Sequence, residues 1–251
     1  MNRLVVMLTV AALFAMGSVT FAAPVTIDTF SEAFDTTDDD NDGVLEVNSG
    51  STTDDAFADS AGGDIAGTER AGQLTYKSGT ADSSASVVSG VLSFSNGDAT
   101  RGTLAVNWDG DDDDQVVDNF GLNLDLTDSG NNVSVLVKAK SDDARLDITL
   151  RLWTDSDNWS ELTQQAVDTG LDALDPFADI VFLFNDFAQG ATATGPVTFS
   201  NVTAIELVLD AQTDGVDGRV DFLEGSDVPE PASLALLGVG GLMMIRRRRA
   251  R

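Results

Sequence analysis

Apolar residues recur at every second position through several stretches of the chain. Leu146, Ile148, Leu150 and Leu152 alternate with Asp147, Thr149 and Arg151, and Val133, Val135, Val137 and Ala139 alternate with Ser134, Leu136 and Lys138. Ile205, Leu207 and Leu209 repeat the pattern around Glu206 and Val208, as do Leu122, Leu124 and Leu126 around Asn123 and Asp125. A period of two puts one apolar and one largely polar face on an extended segment, the mark of a half-buried antiparallel strand. Further strands are expected at Val25–Phe30, Leu74–Lys77, Val87–Ser95, Thr103–Trp108, Trp159–Ala166, Ile180–Phe187 and Arg219–Glu224. Residues 31–72 read as long loops carrying one or two edge strands, and Leu171–Ala178 as a short helical turn. Many short strands joined by Gly, Asn and Asp turns predict an all-β fold, a single antiparallel β-sandwich of jelly-roll type.

Both ends break this pattern. Residues 1–22 have one early cation (Arg3), an apolar run from Leu4 to Ala15, and the small-residue end Thr20-Phe21-Ala22. That is the form of a cleaved secretory signal peptide. At the other end, Val228-Pro229-Glu230-Pro231 leads into the apolar run Leu234–Ile245, and Arg246 to Arg249 follow. Fourteen residues from Ala232 to Ile245 make a helix of about 21 Å, short against a hydrocarbon core of about 30 Å. Flanking arginines that snorkel would let it span, with the arginine end cytoplasmic. The organisation expected is therefore signal peptide 1–22, an acidic β-sandwich domain 23–227, and a C-terminal segment 228–251 with a short apolar helix.

Composition narrows the chemistry. The chain has no Cys and no His, which removes disulfides, thiol nucleophiles, His-based triads and His- or Cys-ligated zinc. Between residues 24 and 227 there are 41 Asp and Glu against eight Lys and Arg. Such a surface repels phosphate backbones, so nucleic acid is excluded as a partner. The groups left for acid–base chemistry near neutral pH are carboxylates, and no pair of them stands out, so the chain is not expected to be an enzyme. A carboxylate-based glycoside hydrolase is the weaker alternative, because it needs two carboxyls held across one cleft.

The ordered C-terminal elements Pro229-Glu230-Pro231, apolar helix and arginine-rich end closely resemble the PEP-CTERM sorting signal of Gram-negative bacteria. The resemblance implies recognition of Pro229, Glu230 and Pro231 by an exosortase-type enzyme, transient residence in the inner membrane, and delivery to the cell surface or extracellular matrix. The body is similar to secreted galactose-binding-like jelly rolls. It carries Gly62-Gly63-Asp64-Ile65 before Glu69-Arg70, then Trp108-Asp109-Gly110 and Asp125-Leu126-Thr127, and finally Val202–Leu209 followed by Gly218–Phe222. Such domains bind carbohydrate or serve as calcium-stabilised structural modules, and no catalytic set is implied. In that family a structural calcium ties the first and last strands, which here implies Asp28 and Asp221.

Three local patterns are candidate sites. Asp38, Asp40 and Asp42 fall at positions one, three and five of a calcium loop with Gly43 at six, although Ser49 stands where a bidentate Glu would close it. Asp109 and Asp111 to Asp114 form a second acidic cluster after Trp108. For both, a solvated acidic loop is the alternative to calcium, the one expected cofactor. Trp153 and Trp159 flank Asp155 and Asp157. Indole faces stack on sugar rings while carboxylates accept hydroxyl hydrogen bonds, so these four are carbohydrate-site candidates, core packing being the alternative for the indoles. Arg70 is expected to meet a carboxylate elsewhere in a structural salt bridge. Taken together these features predict an exported structural or adhesive protein associated with exopolysaccharide, or alternatively a calcium-dependent lectin-like module.

Overall fold

A computed structural model describes residues 24–34, 43–59, 65–110, 116–143, 145–172 and 174–227. The expected signal peptide and the C-terminal segment 228–251, its apolar helix included, lie outside the described residues. Among the described residues no helix is long and apolar enough to cross a membrane.

The described residues form two antiparallel sheets of seven strands each. One contains β1 (Val25–Asp28), β2 (Val44–Val47), β5 (Ser83–Val88), β6 (Val91–Asn96), β8 (Ser134–Ser141), β11 (Ala178–Leu183) and β14 (Gly218–Ser226). Its order is β11-β8-β14-β6-β5-β2, with β1 also paired to β14. The other contains β3 (Thr53–Asp59), β4 (Glu69–Gly79), β7 (Thr100–Trp108), β9 (Leu146–Asp155), β10 (Asn158–Gln165), β12 (Ala188–Gln189) and β13 (Ala204–Ala211). They run in the order β12-β10-β9-β13-β7-β4-β3. The chain passes back and forth between the sheets, at β2 to β3, β4 to β5, β6 to β7, β7 to β8, β8 to β9, β10 to β11, β11 to β12 and β13 to β14. This is the predicted jelly-roll sandwich.

The period-two faces turn inward as expected. Leu146, Ile148, Leu150 and Leu152 of β9 and Leu207 and Leu209 of β13 are buried, as are Val135, Val137 and Ala139 of β8. They join one core with Leu92, Phe94, Leu104, Val106, Trp108, Val220 and Leu223. The strands between residues 31 and 72 take edge positions, β2 closing one sheet and β3 the other.

Three expectations are corrected. Val87–Ser95 is not one strand: it folds back at Ser89-Gly90, both at positive φ (54° and 78°), giving the hairpin of β5 and β6. Two left-handed residues match the twist of the flanking strands, which makes a two-residue turn the favoured break. Leu122, Leu124 and Leu126 lie in a loop that touches the second sheet through a single bridge, Leu124 to Val202. Phe120 and Asn123, both at φ 51°, interrupt the extended backbone a strand needs. The described part of Leu171–Ala178 is loop, consistent with Pro176, which disfavours helical backbone at Asp175 before it. The one helical turn among the described residues is 3-10, at Phe184–Asp186, inside the stretch expected to continue β11.

Candidate functional site

On β9 and β10 the residues between the core positions face outward, so alternation alone places Thr149, Arg151 and Trp153 on one surface. The pairing of β9 with β10 sets Trp153 opposite Trp159, Arg151 opposite Glu161 and Thr149 opposite Thr163. On its other side β9 sets Arg151 opposite Glu206 and Trp153 opposite Ala204 of β13. The outer face of this sheet therefore carries three rungs. The first is an indole pair, with ring centroids 5.7 Å apart and planes 23° from parallel. The second is an ion ladder in which Arg151 Nε meets Glu161 Oε2 at 3.1 Å and Arg151 Nη1 meets Glu206 Oε2 at 2.6 Å. The third is a hydroxyl pair, Thr149 and Thr163, at 2.8 Å.

Both indoles are half-buried, which separates them from Trp108, a core residue with no exposed surface. The Gly190 backbone lies against the Trp159 ring so closely that a Cβ there would overlap the ring carbons. Backbone bonds from Gly190 N to Trp159 O (3.0 Å) and from Trp159 N to Gly195 O (3.2 Å) hold the two segments together. Trp159 is thus braced, and Trp153 stacks on it. Burial opposes the charge of Arg151, but Glu206 and Glu161 outweigh it and raise the guanidinium pKa above its ordinary value. The ladder is accordingly a row of paired donors and acceptors beside the indoles.

Asp155 and Asp157 take different places. The Asp155 carboxylate accepts from the Asp157 and Asn158 backbone amides, both at 2.9 Å, and from the Asn158 side chain at 2.8 Å. The Asn158 side chain and then the Asp157 amide hold it below the usual carboxylate range. It shapes the β9–β10 turn. Asp157 is exposed, and its carbonyl accepts from Thr194 N at 2.7 Å.

Asp28 does not fit the calcium role implied for it. Its side chain is fully buried, with Oδ2 accepting from Arg70 Nη1 at 2.7 Å and Trp108 Nε1 at 2.9 Å. Its Oδ1 accepts from Phe30 N at 2.6 Å. A guanidinium at that distance repels a second cation, and the oxygens are already taken. Asp221 sits half-exposed where β14 bulges between Val220 and Phe222. Among the described residues no three Asp or Glu side chains converge as a metal site needs. Asp38, Asp40 and Asp42 lie outside the described residues, as do Asp111 to Asp114. Asp109, at the start of that second cluster, is buried and accepts from Asp118 N at 3.0 Å and Asn119 N at 3.3 Å, tying the following loop down.

Two described carboxyls are held above their usual range. Asp217 is raised by burial and by repulsion from Asp142, against the Asn96 amide that bonds it. Glu224 is raised by burial and by Asp179, against the pull of Lys138. Seven positions of nearly extended chain separate them, about 20 Å at ~3.3 Å per residue. That exceeds the roughly 5–9.5 Å a paired-carboxylate hydrolase uses, so they do not form such a pair.

Sequence reasoning singled out Trp153 and Trp159 but passed over Arg151, Glu161, Glu206 and Gly190. The first three were legible in principle, since Arg151 shares the outward alternation of Trp153. The close approach of Gly190 depends on the return of β12 to β10, which no local pattern announces.

Residues 227–249 match the PEP-CTERM protein-sorting motif. Pro229, Glu230 and Pro231 lie within the match, and the motif implies export and a surface location in bacteria. No curated protein matches the chain. Among solved structures, the sandwich is similar to the family 11 carbohydrate-binding module of the cellulosomal cellulase Lic26A-Cel5E of Clostridium thermocellum. The two are 9% identical over 84% of this chain and 98% of that one, with a TM-score of 0.39. It is also similar to TmCBM61 in complex with β-1,4-galactotriose, at 8% identity over 72% of this chain and 85% of that one, TM-score 0.29. A third likeness is to the agarase AgWH50C, 10% identical over 62% of this chain and 22% of that one, TM-score 0.37. Likenesses this distant do not bear on the ligand of this chain.

Proposed function

We propose that the chain is an exosortase-sorted surface protein whose sandwich associates with exopolysaccharide in a structural or adhesive role. The observation that carries the sorting half is the match of residues 227–249 to the PEP-CTERM motif. The glycan half is supported by the braced indole pair on the outer face of a sheet, beside a fixed row of charged hydrogen-bonding groups. An indole offers a flat, rigid apolar face for the C–H side of a sugar ring, and the Arg151–Glu161–Glu206 ladder and Asp157 offer partners for its hydroxyls. Glycan binding at this face needs no metal, in contrast to a calcium-dependent lectin, and calcium at Asp38, Asp40 and Asp42 is a separate element of the proposal.

The sorting half is tested in the producing cells. Replacing Pro229, Glu230 and Pro231 with Ala is expected to hold the protein at the inner membrane, whereas the unaltered chain fractionates with the surface matrix. Equal distribution of the two proteins would overturn it.

A further inference from the structure

The described residues include all eight Lys and Arg side chains between positions 24 and 227. Arg70, Lys77, Arg101, Lys138, Arg145 and Arg151 each lie within 4.0 Å of a carboxylate. The other two, Lys140 and Arg219, meet no carboxylate of the described residues at that distance. They are also neighbours. The pairing of β8 with β14 sets Arg219 opposite Lys140, and the pairing of β14 with β6 sets it opposite Ser93. The three form one row across the outer face of the sheet that does not carry the indole pair.

The groups that hydrogen-bond the two cations directly are neutral. Lys140 is 3% exposed, and its Nζ donates to the carbonyl oxygens of Asp172 at 2.9 Å and Asp175 at 3.4 Å. The same Nζ lies 4.8 Å from the centroid of the Phe177 ring. Arg219 Nη1 donates to the carbonyl of Leu171 at 3.1 Å. Carbonyl dipoles and a ring face orient a cation without cancelling its charge. For the buried Lys140 ammonium, held by dipoles alone, burial is costly, and the cost falls when an anion arrives; the half-buried Arg219 has only the Asp217 carboxylate acting on it, beyond ion-pair distance. Lys140 uses two of its three protons, and Arg219 has donors to spare.

Lys140, Arg219 and Ser93 share a half-open cavity of about 340 Å3 with Phe177, Val88 and Val91. That volume is within the roughly 300–1,000 Å3 of small-molecule sites and is large for a bare ion. One wall is cationic with a hydroxyl, and the rest is aromatic and aliphatic. A ligand matching it carries a carboxylate on a body with C–H faces. The surrounding charge is strongly negative, and ions screen the part beyond about 8 Å at physiological salt; at closer range Asp172, Asp175 and Asp217 oppose an incoming anion, while Lys140 and Arg219, which line the cavity itself, attract it.

We infer that this cavity is a binding site for a uronic-acid residue, with Arg219 and Lys140 on its carboxylate, Ser93 on a hydroxyl and Phe177 against the ring. The site lies on the opposite sheet from the indole face, so either site can fail without the other.

The test is calorimetric titration of the full chain with methyl β-D-glucuronide, with methyl β-D-glucoside, acetate and inorganic sulfate run alongside. Saturable binding of the glucuronide is expected, at least about tenfold tighter than the glucoside, the margin that about 1.4 kcal/mol provides. Arg219→Gln should weaken it about tenfold or more, and Arg219→Lys should restore part of the loss. Phe177→Ala should weaken the glucuronide but not acetate. In the Trp153→Ala background, where the other face is impaired, the preference for glucuronide over glucoside and the loss caused by Arg219→Gln should both persist. Lys140→Met is informative where its melting temperature matches the parent, and Arg219→Gln covers the case where it does not. Equal binding of glucuronide and glucoside, absence of saturation by the glucuronide, or sulfate binding as tightly as the glucuronide would overturn the inference. So would an Arg219→Gln protein, folded as the parent, with unchanged affinity.

Discussion

Arg70 on β4 and Asp28 at the end of β1 are 42 residues apart in the chain and 2.7 Å apart in the fold, with neither side chain exposed. β1 belongs to one sheet and β4 to the other, so the pair joins the two layers from within. Arg70 also donates to the Glu32 carbonyl at 2.5 Å and lies over the rings of Phe30 and Phe34, 5.1 and 5.2 Å from their centroids. Trp108, in edge contact with Phe30, gives its indole N–H to the same carboxylate. A buried ion pair is stabilising relative to its broken form even where an apolar replacement would serve as well.

Removing one partner should therefore be severe. Arg70→Met or Asp28→Asn is expected to cost about 3–5 kcal/mol in urea unfolding, and the double variant less than the sum. The loss for Asp28→Asn should be the same with calcium and with chelator. A loss confined to calcium-containing buffer would restore a metal role to Asp28.

Gly190 fixes Trp159 by leaving no room for a side chain. Gly190→Ala should displace the indole and cost roughly 1–3 kcal/mol through overpacking. The check is a shift in tryptophan emission together with a lower urea midpoint. An unchanged midpoint would mean that β12 is not seated on Trp159.

Stability should fall in acid with a definite sign. Asp125 is held below the ordinary 3.8 by the Thr127 hydroxyl and then the Ser129 amide, and Asp155 by the Asn158 side chain. A carboxyl whose folded pKa is depressed contributes fully above the unfolded value, and that contribution is lost as pH falls from 3.8 through the lower folded value. Asp217 acts oppositely. Burial raises it, so its charge opposes folding at neutral pH and the opposition is relieved as pH falls through the raised value. Urea midpoints taken from pH 7 to pH 2 should show a small rise before the acid decline. Asp217→Asn should reduce the rise, Glu224, raised likewise by burial, supplying the rest, and Asp155→Asn should soften the decline below pH 3.8.

What the sequence disclosed was whatever depends on near neighbours. Alternation at Leu146–Leu152 and Ile205–Leu209 is a local consequence of the pleat, and those residues face the core as read. The same alternation misled at Leu122–Leu126, because positive φ at Phe120 and Asn123 is decided by how that loop crosses Val202 and Thr203. Ser89-Gly90 turned a single expected strand into a hairpin, a choice that two residues carry with little outward sign. Of the expected site residues, Trp153 and Trp159 come together across one hairpin, β9 to β10. Asp28 illustrates the opposite case: its partner lies 42 positions away, and no spacing rule links an acid in β1 to an arginine in β4. Lys140 and Arg219 are likewise brought together by strand order alone.

The indole pair should report the glycan contact. Trp153→Ala is expected to keep the fold, since Trp153 is half-buried on the outer face, while losing about tenfold or more in affinity for a bound sugar, or about 1.4 kcal/mol of stacking. Thr163→Ala, one rung beyond the ladder, should change affinity less than twofold.

The most direct measurement is equilibrium binding of the full chain and its Trp153→Ala variant to exopolysaccharide from the producing organism, with calcium present and again with chelator. The account predicts saturable binding by the parent in both buffers and a loss of at least about tenfold in the variant at an unchanged melting temperature. No binding by the parent, or equal binding by a folded Trp153→Ala variant, would contradict the account and remove the glycan role from this face.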